Sequence, residues 1–215
     1  MAVIHKTTME PTKLELLAEW LPTRAWYTAP EGGADPAKAG GFRLDDPAGE
    51  VGVEFMVVTE GDGPGAAAYL VPLTYRGAPL EGAEDALIGT SEHGVLGTRW
   101  IYDGAHDPVL VAELYALLTG RAKAQAQSVN DTVDTTVTVT PVRAGTAPAE
   151  LVEATDTPDG TTVAFRTADT LDRLTLRRAL TAGQPAGDRG GVTAEWQLPD
   201  GRTVRGAFVV VDEAV

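Results

Sequence analysis

Cysteine is absent from this chain of 215 residues. Its absence excludes disulfide bonds, thiolate nucleophiles and thiolate-based zinc sites, so a metal site would need histidine, aspartate or glutamate ligands. No stretch approaches the roughly 18 uninterrupted apolar residues of a membrane-spanning helix, and the first residues lack an apolar core of signal-peptide length. We therefore expect a cytoplasmic protein.

Positive charge is also scarce. The chain has 17 Lys and Arg residues against 31 Asp and Glu residues, which gives a formal net charge of -14. Such a surface repels phosphate backbones and anionic lipids unless a compact basic run offsets it, and the sequence contains no such run. Nucleic acid and membrane surfaces are therefore not expected as partners.

Familiar catalytic motifs are missing as well. The sequence has no G-x-S-x-G elbow, no Walker lysine motif and no H-E-x-x-H helix. The glycines of GDGPG at residues 61–65 suggest a phosphate loop, but no lysine occurs between Lys38 and Lys123 or after Lys123, so a turn between strands is the better interpretation. We predict no cofactor and no metal ion.

The clearest structural signal is a strand followed by a helix in residues 92–118. Side chains alternate over residues 95–102, which predicts a strand with one largely apolar and aromatic face. Asp107 and Pro108 then have the residue types of a helix N-cap and a first helical position, and leucines follow at helical spacing. Gly120 is placed to end the helix, although the sequence RAKAQAQ that follows could continue it.

The region before this signal is predicted to be a helix and an antiparallel meander. Residues 11–21 have the spacing of an amphipathic helix. Pro72 favours an edge position or a bulge for the strand that contains it. The segments whose alternation predicts strands beside residues 95–102 are 42–44, 51–57 and 69–75.

Two connections in the same region are predicted to be irregular. Residues 28–41 are rich in Gly, Pro and Ala without apolar periodicity, so we expect a mobile surface loop. Residues 77–92 form a long acidic connection that could cover a sheet edge.

A change in composition near Ser128 suggests a boundary. Residues 1–128 would form a first domain, and residues 129–215 a β-rich C-terminal part that could also continue the first sheet. Alternation predicts a strand over residues 133–139, two Pro-Asp-Gly turns predict hairpins, and leucine spacing predicts one helix in residues 168–180. The last strand is apolar on both faces and is expected to be central. The predicted fold class is α+β, with an antiparallel sheet packed against helices.

The richest group of side chains for acid-base catalysis or metal binding is His93, Asp103, His106 and Asp107. Their spacing works against one shared site, because a continuous strand over residues 94–102 would hold the two histidines roughly 25 to 30 Å apart. The structural alternative is that Asp107 caps the helix and His106 packs beside the turn. If capping is its whole role, asparagine should replace Asp107 with little loss of stability.

Two aromatic residues offer another possibility. Trp100 and Tyr102 share a strand face, where they could stack on a sugar ring or a partner's side chain, or could fill the core. The full set of candidate binding residues is His93, Arg99, Trp100, Tyr102, Asp103, His106 and Asp107.

Four short sequences together resemble the N-terminal cap domain of bacterial maltokinases, over roughly residues 10–128. They occur in the matching order and are LLAEWLPTRAWY at 16–27, YLVPLTYR at 69–76, ALIG at 86–89 and YDGAHDPV at 102–109. Maltokinases phosphorylate maltose with ATP in the route from trehalose to α-glucan. The resemblance implies that the sheet is curved and packed with helices, in the manner likened to the cystatin fold.

Departures from the family limit what the resemblance transfers. Maltokinases usually carry Gly-Lys soon after the Arg-Trp-aromatic motif, where this chain has Thr28-Ala29-Pro30. The 87 residues after Ser128 are too few for two kinase lobes, and no histidine after His106 could begin a catalytic H-x-D loop. No catalytic residue is therefore carried over.

The resemblance implies a non-catalytic, cap-like binding or regulatory protein linked to trehalose, maltose and α-glucan metabolism. A separate kinase, an α-glucan enzyme or a second copy of the chain is its expected partner. The alternative is a small enzyme or sugar-binding protein that uses the region of His93, Asp103, His106 and Asp107.

Overall fold

The computed structural model describes residues 8–127, 129, 132–142, 148–168 and 170–212. Within these residues the chain forms one antiparallel sheet with two α-helices and four short 3₁₀ helices. None of the described helices has the length and the apolar character needed to span a membrane.

The strands are numbered in chain order. They are β1 Met9–Glu10, β2 Ala37–Asp45, β3 Gly52–Glu60, β4 Ala67–Arg76, β5 Leu87–His93, β6 Gly97–Asp103, β7 Gln125–Ala126, β8 Thr138–Thr140, β9 Glu150–Thr157, β10 Gly160–Arg166, β11 Leu171–Leu176, β12 Gly191–Gln197 and β13 Thr203–Val211. The α-helices are α1 Lys13–Trp20 and α2 Pro108–Leu118, and the 3₁₀ helices are Leu21–Thr23, Gly63–Gly65, Glu84–Ala86 and Gly104–His106.

The strands follow one another across the sheet in the order β1-β5-β6-β4-β3-β2-β12-β13-β11-β10-β9, with β7 beside β2 and β8 beside β12. The predicted meander is confirmed, because β2, β3, β4 and β6 are neighbours and run antiparallel. The central position predicted for the last strand is also confirmed, since β13 lies between β11 and β12.

Each face of the sheet carries one helix. Along β3, Val53, Phe55 and Val57 belong to the major core, which also contains the leucines of α2 and apolar residues of β10 to β13. Met56 and Val58, on the opposite face of β3, belong to the minor core under α1. The alternation of β3 therefore supplies both cores from one strand.

Local signals fix the ends of both helices. Thr12 and Glu15 form a reciprocal capping box at the start of α1, with the Thr12 amide donating to Glu15 Oε2 over 2.7 Å. Gly120 has a φ of 74° and ends α2 in a Schellman motif, because its amide donates to Leu117 O and the Arg121 amide donates to Ala116 O. The alternative in which RAKAQAQ continues the helix is therefore wrong.

The sequence suggested a sheet edge or a bulge for Pro72, and this prediction is wrong because Pro72 lies at neither. The Leu70 amide donates to Arg178 O over 2.8 Å, on the side of β4 away from β3. The nitrogen of Pro72 faces that same side, and β6 pairs with β4 only from Leu73 onward. On this side, the residues after β11 pair with the first part of β4 and β6 pairs with the last part. Pro72, which has no N–H group, lies at the point between these two partners.

Other predicted elements need correction. The helix predicted in residues 168–180 is wrong: β11 occupies that region, with Leu174 and Leu176 buried and Leu171 46% exposed. Pairing with β10 and β13 decides the conformation here, and the leucine spacing fits a strand as well as a helix. The described residues beyond β7 therefore contain no helix.

The remaining corrections concern strand positions. Residues 77–92 are not only a connection, since they contain most of β5, and β6 begins at Gly97 rather than at residue 95. Residues 37–41 of the expected loop belong to β2. The strand predicted over residues 133–139 is shorter and later, as β8, although Val133 forms an isolated bridge with Gln125.

The sheet continues across the region of the predicted domain boundary at Ser128, a residue outside those described. Gly40 of β2 pairs with Trp196 of β12, and Phe42 stacks on Phe55 with a centroid distance of 4.6 Å and lies 6.2 Å from Phe208. The division into residues 1–128 and 129–215 stays a prediction.

Candidate functional site

Asp107 caps α2 as predicted and also forms an ion pair. Its Oδ1 accepts a hydrogen bond from the Val109 amide over 2.9 Å. Arg76 on β4 donates from Nε to Oδ2 over 2.6 Å and from Nη2 to Oδ1 over 2.7 Å, and this pairing raises the pKa of Arg76 despite partial burial. A neutral asparagine would keep the cap and lose the ion pair, so it should not restore the full stability that Asp107 provides.

Asp103 lies in a sealed polar group that we call the Arg178 cluster, composed of Arg178, Asp103, Thr161 and Trp26. Arg178 Nη2 donates to both carboxylate oxygens of Asp103, over 2.7 and 2.6 Å, and Nε donates to Thr161 Oγ1 over 2.7 Å. The guanidinium carbon lies 5.0 Å from the centroid of the Trp26 ring. The two side chains are 0% and 1% exposed, so a ligand cannot reach this ion pair.

The two histidines occupy separate environments. His106 ends the 3₁₀ helix before α2 and is partly buried. His93 ends β5, and its Nδ1 accepts hydrogen bonds from the amides of Val95 and Leu96 over 3.3 and 3.1 Å. Because His93 is paired with Gly97 at the start of β6 while Asp103 ends that strand, His93 does not share a site with Asp103.

Trp100 and Tyr102 pack under the connection before β5. Tyr102 is buried, and its hydroxyl accepts a hydrogen bond from the Leu80 amide over 2.9 Å. Both aromatic residues contact a small apolar cluster that includes Ala83 and Ala86. Core packing is therefore the role that the structure gives Tyr102. The connection covers a face of the sheet at β6, which is paired with both β5 and β4, and not the sheet edge that the sequence suggested.

A cleft lies on the same face of the sheet as α1, beyond the N-terminal end of that helix. Its volume is about 450 Å³, which falls in the range of small-molecule sites. Of the seven candidate residues, His93 and Arg99 line this cleft and the other five do not. The lining side chains that carry charge, besides His93, are Lys13, Lys38, Arg43, Asp46, Glu50, Glu54 and Arg99.

The floor of the cleft is a hydrogen-bonded group that we call the Glu54 cluster, composed of Glu54, Lys13, Tyr75 and Gln127. Lys13 Nζ lies 2.7 Å from Glu54 Oε2, and the Tyr75 hydroxyl donates to the same oxygen over 2.5 Å. Gln127 Nε2 donates to Glu54 Oε1 over 3.0 Å. Side chains from α1, β3, β4 and the residue after β7 therefore converge on one buried carboxylate.

The electrostatics of this cluster favour an ionised carboxylate. Burial alone would raise the pKa of Glu54, but the charge and hydrogen bond of Lys13 and the hydrogen bond of Tyr75 outweigh it, so that its pKa lies below its ordinary value. Burial, the charge of Glu54 and the hydrogen bond to it raise the pKa of Tyr75 well above its ordinary value. Tyr75 therefore remains a hydrogen-bond donor at neutral pH.

Strand register and two glycines create the space for the cluster. Glu54 is paired with Arg43 across β2 and β3, and Gly52 is paired with Tyr75 across β3 and β4. A Cβ at Gly52 would lie 3.2 Å from the Tyr75 ring. At Gly41, where φ is 115°, a Cβ would lie 1.9 Å from Phe55 O and 2.9 Å from Gln127 Nε2, so a side chain there would displace Gln127.

Sequence reasoning missed the residues of the floor. One signal was present, because Glu54 interrupts the otherwise apolar run VGVEFMVV of β3, and a buried acid in such a run needs a partner. The partners Lys13 and Gln127 lie 41 and 73 residues away along the chain, so no local pattern connects them. The described residues contain no group of three or more His, Asp or Glu side chains placed to hold a metal ion.

Fold and site together define an antiparallel-sheet protein with two short helices and a charged cleft beside the first of them. Residues 20–107 match the family model described as the maltokinase N-terminal cap domain, which confirms the resemblance found in the sequence. That range includes Lys38, Arg43, Glu54, Tyr75 and Arg99 of the cleft. A search of curated proteins gave no match to the chain.

Proposed function

We propose that this protein is a non-catalytic, cap-like binding or regulatory protein that acts in trehalose, maltose and α-glucan metabolism. The observation that carries the proposal is the match of residues 20–107 to the maltokinase cap domain. The proposal includes a cytoplasmic location, a cystatin-like curvature of the sheet and a separate kinase or α-glucan enzyme as partner.

The buried carboxylates that could act as acids or bases are already paired with cations of the protein, which supports a non-catalytic role. Asp103 is sealed against Arg178, Asp107 is held by the helix start and by Arg76, and Glu54 is paired with Lys13. A general acid or base must reach the proton that it transfers, and the two buried aspartates are enclosed by their own partners. The cleft remains the place where a small molecule can be held.

A turnover assay tests the proposal. The purified protein is incubated with ATP and, separately, with ATP plus maltose, trehalose or glucose, and ADP and sugar phosphates are measured by mass spectrometry. We expect no product above a reaction without protein. Turnover at an enzyme-like rate of about 1 per second or more, with any sugar of the panel, would contradict the non-catalytic role.

A second candidate function is a small enzyme or sugar-binding protein that uses the region of His93, Asp103, His106 and Asp107. The observation that favours it is the position of His93 in the wall of the cleft. This candidate predicts that His93→Ala abolishes product formation or sugar binding, whereas the leading proposal predicts no turnover in either protein.

A second copy of the chain is the other partner that we propose. Strand β9 ends the strand order and is paired on one side with β10, so its other edge can accept a further strand. Light scattering over a range of concentrations measures the mass. A monomeric mass throughout would remove the homomeric version and leave the separate enzyme as the partner.

A further inference from the structure

The charge of the cleft differs from the charge of the chain. The whole protein has a formal net charge of -14, yet four cationic side chains and three carboxylates line the cleft. His93 adds a further group that can become cationic. A local excess of positive charge on an acidic protein is not expected from its composition.

Two of the three carboxylates are already satisfied by the protein. Asp46 accepts hydrogen bonds from the amides of Ala48, Glu50 and Val51, each over 2.9 Å, and is thereby committed to the turn between β2 and β3. Glu54 is neutralised by Lys13 and accepts from Tyr75 and Gln127. These carboxylates therefore do not need a ligand's cation.

Two of the cations retain capacity to bind. Arg99 donates from Nη2 to Leu96 O, while its Nε is buried without a hydrogen-bond partner among the described residues. Lys38 lines the cleft, is exposed on β2 and forms no ion pair within the described part of the chain, so its ammonium group can reach a ligand. Partial desolvation, with a smaller effect of Lys13, lowers the pKa of Lys38 although Glu54 opposes the shift. An ammonium group and a guanidinium group in the wall of one cleft both favour an anion beside them.

We propose that the cleft binds a small anionic metabolite, a phosphomonoester or a carboxylate, through Lys38 and Arg99. This inference deepens the proposed binding function and rests on it. The volume of about 450 Å³ suits a molecule the size of a sugar phosphate rather than a polymer. Lysine supplies a point charge and arginine supplies forked donors, which together suit the oxygens of a phosphate or carboxylate group.

Isothermal titration calorimetry at low salt tests this inference with matched probes. Glucose 6-phosphate and glucose differ only in the phosphate, inorganic phosphate presents the anion alone, and citrate presents carboxylates. We expect glucose 6-phosphate or citrate to bind and glucose to give no detectable heat. Raising the salt concentration should weaken the binding, because the cleft is open enough for ions to screen it.

Variants assign the binding to the two cations. Lys38→Ala and Arg99→Ala should each weaken binding of the anionic probe by about tenfold or more. Lys38→Arg should retain more of the affinity than Lys38→Ala. Arg202→Ala, which removes an exposed cation outside the cleft, is the control and should bind as the wild type does. Circular dichroism checks that each variant is folded.

The outcomes separate this inference from the proposed function. Binding of neutral glucose or maltose as tightly as glucose 6-phosphate would overturn the anionic class and leave a binding function in place. Binding of none of the probes, binding of inorganic phosphate alone, or binding that survives both alanine substitutions would also overturn the inference. Turnover of ATP and sugar would instead contradict the proposed function.

Discussion

Two ion pairs of similar chemistry lie on the same face of the sheet in different surroundings. Arg178 and Asp103 are 2.6 Å apart with side chains 0% and 1% exposed, whereas Lys13 and Glu54 are 2.7 Å apart with side chains 27% and 7% exposed. Each pair also hydrogen-bonds a hydroxyl group, that of Thr161 in the first case and that of Tyr75 in the second.

The difference in exposure indicates which of the two polar clusters a ligand can reach. The Arg178 cluster joins a residue outside the cap-matching range to Asp103 inside it, so its contacts hold the two parts of the chain together. The Glu54 cluster opens onto the cleft, where further cations lie within reach. The ion pair of Arg178 and Asp103 is enclosed by the protein and serves structure, although Arg178 Nη1 has no hydrogen-bond partner among the described residues, whereas charges that border a cavity are available for binding.

The largest expected effect comes from breaking the sealed pair. Arg178→Ala leaves the Asp103 carboxylate buried without its cation and should lower the free energy of unfolding by about 3 to 5 kcal/mol. Urea denaturation measures the loss. Arg202→Ala breaks an exposed pair with Asp200 and should cost less than about 1 kcal/mol.

A double substitution sharpens this test. Replacing both charged residues with apolar ones, as Arg178→Met with Asp103→Leu, should be less destabilising than Arg178→Ala alone, because no buried charge is left unpaired. Equal stability of Arg178→Ala and wild type would show that the cluster does not hold the two parts together.

The second prediction concerns Asp107. Asp107→Ala removes both the cap and the ion pair with Arg76 and should cost roughly 2 to 4 kcal/mol. Asp107→Asn keeps a capping oxygen but loses the ion pair, so its stability should lie between those of Asp107→Ala and wild type. Thermal melts rank the three proteins. An asparagine variant as stable as wild type would mean that the cap is the whole contribution.

The third and smallest prediction concerns the open cluster. Glu54→Gln should cost about 1 to 2 kcal/mol at neutral pH, because Lys13 is partly exposed and water can solvate it when the carboxylate is gone. The wild-type pKa of Glu54 is lowered by folding, so its ionised form contributes stability above its ordinary pKa of 4.5. That contribution is lost as the pH falls through the lower pKa of the folded state.

Denaturation between neutral and acid pH measures this linkage. The stability difference between wild type and Glu54→Gln should shrink as the pH falls below 4.5. Glu92→Gln, at an exposed position on β5, serves as the matched control and should follow the wild-type curve. A constant difference at all pH values would contradict the role assigned to Lys13 and Tyr75.

Local patterns predicted much of the fold. Helical spacing located α1, capping residues with helical spacing located α2, and period-two alternation located the meander, because these signals act within a few residues of the chain. The helix predicted in residues 168–180 failed where leucine spacing suited both conformations and pairing with β10 and β13 decided the outcome.

The candidate site was less accessible to sequence reasoning. His93 and Arg99 were proposed and line the cleft, but the floor depends on contacts between Glu54 and residues as distant as Gln127. The partner of Asp103 is Arg178, 75 residues away. Pairings of that range follow from strand order, which single-sequence patterns do not specify.

A two-dimensional amide NMR titration with glucose 6-phosphate shows directly whether a ligand binds in the cleft or elsewhere. Binding in the cleft should shift the amide signals of Lys38, Glu54 and Arg99 and leave those of Thr161 and Arg178 in the sealed cluster unchanged. Shifts centred on the sealed cluster, or no shifts at saturating probe, would contradict the assignment of binding to the cleft.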